Sequence, residues 1–291
     1  MSLPPELLKK VKLLEISTRK KVNNMFIGEY HSAFKGQGMT FSEFREYVPG
    51  DDVRQISWPL YARTEKVYIK KHDEEREMTV MLAVDVSGSQ DFGSQEYFKG
   101  EVAAHVAALL SFAATGNKDA VGLVLFSDQI ELYVPPKKGR GQCMRIIRDL
   151  YFHKPASRGT DISVALDHLL AVLKKKAHVF VISDFIDKNF ESSLRHLGRK
   201  HDTAAVILED KLEVDIPSMG LVDFEDPETG ETVTVDTSSP VFKKEYQKYL
   251  SGMVSAREAE LRRAQVEMIP IRTDGDLVTP LLQFFKRRSG R

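Results

Sequence analysis

Three oxygen-bearing side chains alternate along a short segment, Asp85-Val-Ser-Gly-Ser89, which follows a run of apolar residues. The side chains of Asp85, Ser87 and Ser89 could face one point, because Gly88 allows the chain to curl between them. Carboxylate and hydroxyl oxygens are hard donors, which suit Mg²⁺ or Mn²⁺ and suit zinc or copper poorly. A pattern this short also arises by chance, so its meaning depends on where the fold places it.

Two further oxygen donors come later in the chain, where an alternating strand and helix fold would return them to the same edge. Thr160 lies in the segment Arg-Gly-Thr-Asp just before a predicted helix, and Asp184 follows a later apolar run. Each also has an ordinary structural interpretation, since threonine caps helix N-termini and aspartate is common in turns. Together with the first three residues, they predict a site for one divalent cation, with Mg²⁺ as the expected ion and Mn²⁺ as the alternative.

A repeated alternation of apolar runs and helix-patterned segments begins at Thr79 and would position these donors. Near-continuous apolar runs are typical of parallel strands that are covered on both faces. The alternation predicts an α/β fold with a doubly wound, mostly parallel, Rossmann-like sheet, in which ligands bind beyond the carboxyl ends of the strands. The predicted strands are Thr79–Asp85, Ala120–Phe126, 178–182 and 203–208, and the predicted helices are 96–114, 141–151, 161–175 and 190–200.

The segments on either side of this region divide the chain into four parts. Residues 1–24 have apolar residues at helical spacing and predict an amphipathic N-terminal helix. Residues 25–78, rich in glycine and aromatic residues, predict a small β-containing N-terminal subdomain. Residues 79–210 would form the α/β domain, and residues 211–291 predict a hairpin, a long helix and a closing strand and helix packed on that domain.

The composition argues against several classes of protein. The 42 basic and 42 acidic residues cancel, so the total charge does not indicate a nucleic-acid partner or an anionic membrane surface. The single cysteine, Cys143, excludes an intrachain disulfide and a cysteine-rich metal site. No segment approaches the roughly 20 apolar residues that cross a bilayer, and the first residues lack a signal-peptide pattern. We therefore expect a cytoplasmic protein with no membrane insertion.

The order and spacing of Asp85-Val-Ser-Gly-Ser89, Thr160 and Asp184 resemble the metal-ion-dependent adhesion site of von Willebrand factor A domains. The resemblance covers residues 79–210. It implies that the three hydroxyls contact the metal and that the two carboxylates act directly or through water. It also implies that an Asp or Glu of a protein partner completes the coordination.

A second motif lies upstream, in residues 41–58 with the sequence FSEFREYVPGDDVRQISW. It resembles the signature of a bacterial domain-of-unknown-function family, number fifty-eight, whose members join this segment to an A-like domain and are typically encoded beside MoxR-type AAA+ ATPases. Ser57 departs from the aspartate that this family usually has before the tryptophan. Paired carboxylates beside arginines in a turn predict a structural or docking network of ion pairs, with a second metal or a catalytic dyad as the alternative. The network would comprise Arg45, Asp51, Asp52, Arg54, Trp58 and Arg63.

These observations lead to three hypotheses about function. The resemblance implies a non-enzymatic, metal-dependent adaptor that works with a MoxR-type ATPase in the assembly or activation of other proteins. The first alternative is a Mg²⁺-dependent hydrolase acting on phosphate esters, although Asp85 and Asp184 are assigned to the metal and leave no positioned general base. The second alternative is a metal-free scaffold. We expect Trp58 to be buried where the subdomain meets the α/β domain; a position on the surface would suggest a binding role instead.

Overall fold

The computed structural model describes residues 22, 24–34, 44–51, 53, 56–64, 66–70, 78–93, 97–187 and 189–290. The helix predicted for residues 1–24 lies almost entirely outside these described residues. Asp52 and Arg54 of the predicted ion-pair network lie outside them as well.

The described elements alternate along the chain. The strands are β1 (Phe44–Glu46), β2 (Tyr68–Lys70), β3 (Thr79–Asp85), β4 (Ala120–Phe126), β5 (Ile130–Lys137), β6 (His178–Ser183), β7 (Asp202–Glu209), β8 (Leu221–Glu225), β9 (Thr232–Asp236) and β10 (Glu267–Arg272). The helices are α1 (Asn24–Phe34), α2 (Trp58–Thr64), α3 (Lys99–Gly116), α4 (Arg140–Phe152), α5 (Ile162–Val172), α6 (Glu191–Lys200), α7 (Lys211–Val214), α8 (Pro240–Arg263) and α9 (Val278–Ser289).

A mostly parallel sheet forms the centre of this structure. Its strand order is β10-β7-β6-β3-β4-β5, and every neighbouring pair is parallel except β4 with the edge strand β5. Because β3 lies between β6 and β4, the carboxyl ends of these three strands meet at one edge of the sheet. The predicted fold class, a doubly wound α/β fold with a mostly parallel sheet, is confirmed.

Both faces of the central sheet are covered, which explains why its strands are continuously apolar. Along β3, Val80, Leu82 and Val84 pack into the core beneath α1, α3 and α9. The intervening Met81 and Ala83 pack into the core formed with α5, α6 and the end of α8. Successive side chains of a strand point to opposite faces, so a strand that is buried on both faces needs an apolar residue at every position.

The first described helix corrects the sequence analysis, which placed the β-containing subdomain from residue 25 onwards. Phe26, Tyr30 and Phe34 are buried on one face of α1. Each ring lies within 6 Å of the Phe285 ring in α9, at centroid distances of 5.4, 5.5 and 5.9 Å. Their spacing of four residues is the spacing of one helix face, so these aromatic residues belong to the main core.

Two small antiparallel pairs lie outside the central sheet. The β1 and β2 strands pair with each other, and β8 pairs with β9 as a hairpin whose turn is residues 226–231. After the hairpin, α8 runs for 24 residues with only Leu261 buried. Among the residues that the structure describes, no helix has the length and apolar character that crossing a membrane requires.

Candidate metal centre

The first three predicted donors converge at the carboxyl end of β3. Asp85 is the last residue of this strand, and its Oδ1 accepts a hydrogen bond from the backbone N–H of Ser87 at 2.9 Å. The hydroxyl oxygens of Ser87 and Ser89 lie 3.1 Å apart. Asp85 and Ser87 are buried, whereas Ser89 is partly exposed. The loop therefore presents a carboxylate and two hydroxyls toward one place, as predicted.

Gly88 is required in this loop for a different reason from the one expected. The backbone of Gly88 does not adopt a positive φ, so the loop does not need the conformational freedom of glycine. Instead, a Cβ atom at this position would lie 2.4 Å from the carbonyl oxygen of Pro227 and 3.3 Å from that of Arg158. The N–H of Gly88 donates to this Arg158 oxygen at 2.8 Å. Two other segments of the chain thus touch the loop where a side chain would be.

Thr160 reaches the site from the loop between α4 and α5. Asp161, not Thr160, caps α5, because the Asp161 side chain accepts a hydrogen bond from the N–H of Ser163. The hydroxyl of Thr160 donates instead to Oε1 of Glu228, at 2.5 Å. This leaves the helix-cap interpretation of Thr160 without support and places its hydroxyl at the edge of the sheet.

The loop that carries Thr160 is held by a buried carboxylate, Glu131. Its oxygens accept hydrogen bonds from the N–H groups of Ala156 and Ser157 and from the hydroxyl of Ser127. Burial alone would raise the pKa of Glu131, but these hydrogen bonds outweigh it and lower the pKa to about 2. The Glu131 side chain is therefore charged at neutral pH and fixes the loop from the strand β5.

Asp184 directly follows β6, the strand next to β3. Its buried carboxylate pairs with the ammonium of Lys99, a residue that the sequence analysis did not identify. The Nζ of Lys99 donates to Asp184 Oδ2 at 2.9 Å, and the N–H of Ile186 donates to Oδ1 at 3.1 Å. Lys99 also pairs with Glu213. Burial would lower the pKa of Lys99, but the two carboxylates raise it above its usual value, so this lysine is charged.

The pKa of Asp85 reflects its burial and the carboxylate next to it. Burial and the nearby charge of Asp184 raise the pKa of Asp85 to about 6, although hydrogen bonds from Ser87 and Ser183 act in the opposite direction. The Ser183 hydroxyl donates to Asp85 Oδ2 at 2.7 Å. A carboxyl group with a raised pKa lacks compensating positive charge, which a divalent cation would supply.

The predicted residues fit a hard divalent cation. Asp85, Ser87 and Ser89 are linked by hydrogen bonds, Asp184 interacts electrostatically with Asp85, and Thr160 binds a residue of the cavity beside them. Three of the five donors are hydroxyls. Within the described ranges, no group of three or more His, Cys, Asp and Glu side chains is arranged to hold a metal ion. The predicted set has only two such side chains, Asp85 and Asp184, and its other donors are hydroxyls.

A cavity of about 520 Å³ lies beside the site, between the sheet edge, the hairpin and α8. Ser89, Lys99 and Asp184 line it from the side of the sheet, and Phe224 and Tyr246 from the opposite side. Glu213 and Glu228 also line it. Lys99, Glu213 and Glu228 were all missed by the sequence analysis, because no local motif marks them.

The structure describes part of the predicted network in the upstream motif. Arg45 and Asp51 form an ion pair at 2.7 Å, but both side chains are partly exposed, and Asp51 also accepts from the N–H of Val48. Arg63 is exposed at the end of α2. The expectation that Trp58 is buried is wrong, because this residue is 64% exposed and contacts the ring of Tyr61 edge-on. Ser57, next to Trp58 in the chain, is buried instead.

The family described as "Protein of unknown function DUF58" matches residues 43–253, a span that includes residues 43–58 of the upstream motif and all five predicted metal donors. The chain belongs to this family. Rv1480 of Mycobacterium tuberculosis, described as uncharacterized, is 26% identical over 287 residues, which cover 98% of this chain and 90% of that protein. MAV169 of Mycobacterium avium is 25% identical over 160 residues, which cover 53% of this chain and 93% of that protein.

Solved structures share the fold. The conserved hypothetical protein BatB from Bacteroides thetaiotaomicron superposes with a TM-score of 0.50 at 13% identity, over 74% of this chain and 100% of that chain. The VWA domain of SpRpn10 is more distant, with a TM-score of 0.39 at 11% identity, over 71% of this chain and 94% of that domain. At these identities the likeness concerns the fold alone.

Proposed function

We propose that this DUF58 protein is a metal-dependent protein-binding module without enzymatic activity. The observation that carries the proposal is the hydrogen-bonded convergence of Asp85, Ser87 and Ser89 at the carboxyl end of β3, beside the buried carboxylate of Asp184. The proposed ion is Mg²⁺, with Mn²⁺ as the alternative. The residues that would hold it are Asp85, Ser87, Ser89, Thr160 and Asp184.

The bound ion would supply positive charge that attracts a carboxylate from outside. The proposed ligands of the chain neutralise the charge of the ion only in part. Ser87, Ser89 and Thr160 contribute neutral hydroxyls, and Lys99 compensates part of the charge on Asp184. A partly neutralised divalent ion at the edge of the sheet favours an incoming Asp or Glu side chain. The proposed ligand is therefore an acidic residue on a protein partner.

The assignment of both aspartates to the metal favours binding over hydrolysis. Both oxygens of Asp85 accept from the chain itself, from Ser87 N–H and the Ser183 hydroxyl. Both oxygens of Asp184 likewise accept, from Lys99 and Ile186 N–H. Each of these oxygens keeps a second lone pair that can bind the metal. With both carboxylates assigned to the metal, no carboxylate of the five-residue set is left to act as a general base.

The proposed partner is a MoxR-type AAA+ ATPase, and the proposed role is the assembly or activation of other proteins in the cytoplasm. This part rests on the family resemblance of the upstream motif. Trp58, the last residue of this motif, and Tyr61 just after it are exposed and offer an apolar surface.

Binding to the purified MoxR-type ATPase encoded nearest to this protein tests the proposal. Surface plasmon resonance should detect binding in Mg²⁺ that is lost in EDTA and weakened by Ser87→Ala. Ser111→Ala is the matched control, because Ser111 is an equally buried serine in α3, outside the site. Binding that is equal in Mg²⁺, in EDTA and in all variants would contradict a metal-bridged interaction.

A further inference from the structure

The turn of the β8–β9 hairpin lies directly over the candidate metal centre. The Pro227 carbonyl lies close to Gly88: a Cβ atom added to Gly88 would be 2.4 Å from the carbonyl oxygen of Pro227. The next residue, Glu228, accepts a hydrogen bond from the hydroxyl of Thr160 at 2.5 Å. One turn therefore contacts two of the segments that carry predicted metal donors.

The turn holds Glu228 in this position through its own hydrogen bonds. Oδ1 of Asp226 accepts from the N–H of Glu228 at 2.9 Å and from that of Thr229 at 3.4 Å. The N–H of Gly230 donates to the Asp226 carbonyl at 2.7 Å, and the positive φ of 74° at Gly230 closes the turn. A side chain on a closed turn of this kind is presented in a defined direction.

The hydrogen bond to Glu228 leaves Thr160 able to bind a metal. A hydroxyl has one hydrogen to donate and two lone pairs to accept or coordinate. Thr160 uses its hydrogen toward Glu228, so a lone pair stays available for a cation. The carboxylate of Glu228 then lies within one hydrogen bond of a ligand of the same ion, and it has the chemistry required of the partner's acid.

We infer that Glu228 is the internal acid that occupies the open coordination position of the metal in the resting protein, so that the hairpin turn competes with the partner's carboxylate. This inference rests on the proposed function. A partner would have to displace the turn, and its apparent affinity would be reduced by the fraction of molecules in which the turn is in place.

The packing of the hairpin is consistent with displacement of its turn. Thr237, at the base, is fully buried, and its backbone and hydroxyl both donate to the carbonyl of Gly220. Along the strands, in contrast, Leu221 is 76% exposed and Val233 is 60% exposed. The base of the hairpin is thus fixed, while its strands bury little apolar surface. Opening of the turn therefore costs little free energy.

Calorimetric titration of the full chain with Mn²⁺ tests the inference, with hydrogen exchange of residues 226–231 as a second measurement. Glu228→Gln should weaken Mn²⁺ binding by about tenfold or more, the effect typical of losing a group that supports a metal site. Mn²⁺ should slow exchange of the turn in the unaltered protein and leave it unchanged in Glu228→Gln. Glu231→Gln, an exposed acid of the same hairpin, is the matched control and should match the unaltered protein in both measurements.

Including Ser87→Ala separates the failure of the inference from the failure of the proposed function. If Ser87→Ala loses Mn²⁺ binding but Glu228→Gln binds as tightly as Glu231→Gln, the role of Glu228 is wrong and the metal site stands. If the unaltered protein binds no Mn²⁺, both are wrong.

Discussion

The ammonium of Lys99 and the carboxylate of Asp184 form an almost fully buried ion pair, with 2.9 Å between Nζ and Oδ2. It joins the start of α3 to the end of β6, at the edge of the sheet where the candidate metal centre lies. The site therefore already contains one resident cation, and any added metal must share Asp184 with it.

Removing this cation should destabilise the fold while improving metal binding. Lys99→Met leaves Asp184 buried without its partner, which typically costs about 3–5 kcal/mol of unfolding free energy. Urea denaturation in EDTA measures this, with Lys244→Met on the exposed face of α8 as control. Mn²⁺ affinity should rise because an oxygen of Asp184 is released. A variant as stable as the control would contradict the account of this pair.

The loop that carries Thr160 should make stability depend on pH through Glu131. Since the pKa of this carboxyl is lowered to about 2 in the folded protein, its contribution is present above the ordinary pKa of 4.5 and is lost as pH falls toward 2. Glu131→Gln should lower the unfolding free energy at pH 7 by about 1.5–3 kcal/mol, the usual contribution of a hydrogen bond to a charged group. The difference between variant and unaltered protein should shrink between pH 5 and pH 2. A difference that stays constant over this range would show that the charge of Glu131 does not hold the loop.

Gly88→Ala should displace the hairpin turn. The added methyl would lie 2.4 Å from the Pro227 oxygen, which is backbone and cannot rotate away. Hydrogen exchange of residues 226–231 should become faster, and the melting temperature should fall. Gly141→Ala is the matched control, because a Cβ atom at Gly141 meets nothing within 4 Å. Gly141 lies in a helix, where replacing glycine by alanine typically stabilises the protein by about 0.4–1 kcal/mol. Unchanged exchange of the turn in Gly88→Ala would mean that the turn does not lie against this loop.

Trp58→Ala should change the unfolding free energy by no more than about 0.5 kcal/mol, the usual range for an exposed residue. Phe285→Ala, by comparison, removes a buried ring that contacts three aromatic side chains of α1 and should cost about 3–5 kcal/mol. Chemical denaturation of both variants compares them directly. A large loss of stability in Trp58→Ala would place this ring in a core.

Much of the fold could be predicted from the sequence because its signals are local. The apolar runs predicted at 178–182 and 203–208 are the strands His178–Ser183 and Asp202–Glu209, since strands buried on both faces carry an unbroken apolar pattern. Asp85, Ser87 and Ser89 were found in the same way, because two-residue spacing in one loop is visible in the sequence. The aromatic residues of α1 have helical spacing, but their abundance among glycines favours a β prediction, which the structure corrects.

The remaining parts of the site depend on long-range contacts that no local pattern records. Lys99 meets Asp184 from 85 positions away, and Thr160 meets Glu228 from 68 positions away. Each contact has one long side chain, Lys99 or Glu228, and its partner is decided by how the helices and the hairpin pack on the sheet. The exposure of Trp58 is likewise set by packing, because a short helix can turn a large side chain toward solvent.

The anomalous scattering of Mn²⁺ in a crystal of the full chain tests the central claim most directly. The account predicts a single strong peak at the carboxyl end of β3, at about 2.1 Å from the hydroxyl oxygens of Ser87 and Ser89, the distance usual for small hard divalent cations. Density for the Glu228 carboxylate should adjoin the peak. Crystals grown in saturating Mn²⁺ with no peak at these two serines, or with the peak elsewhere, would contradict the assignment of this site.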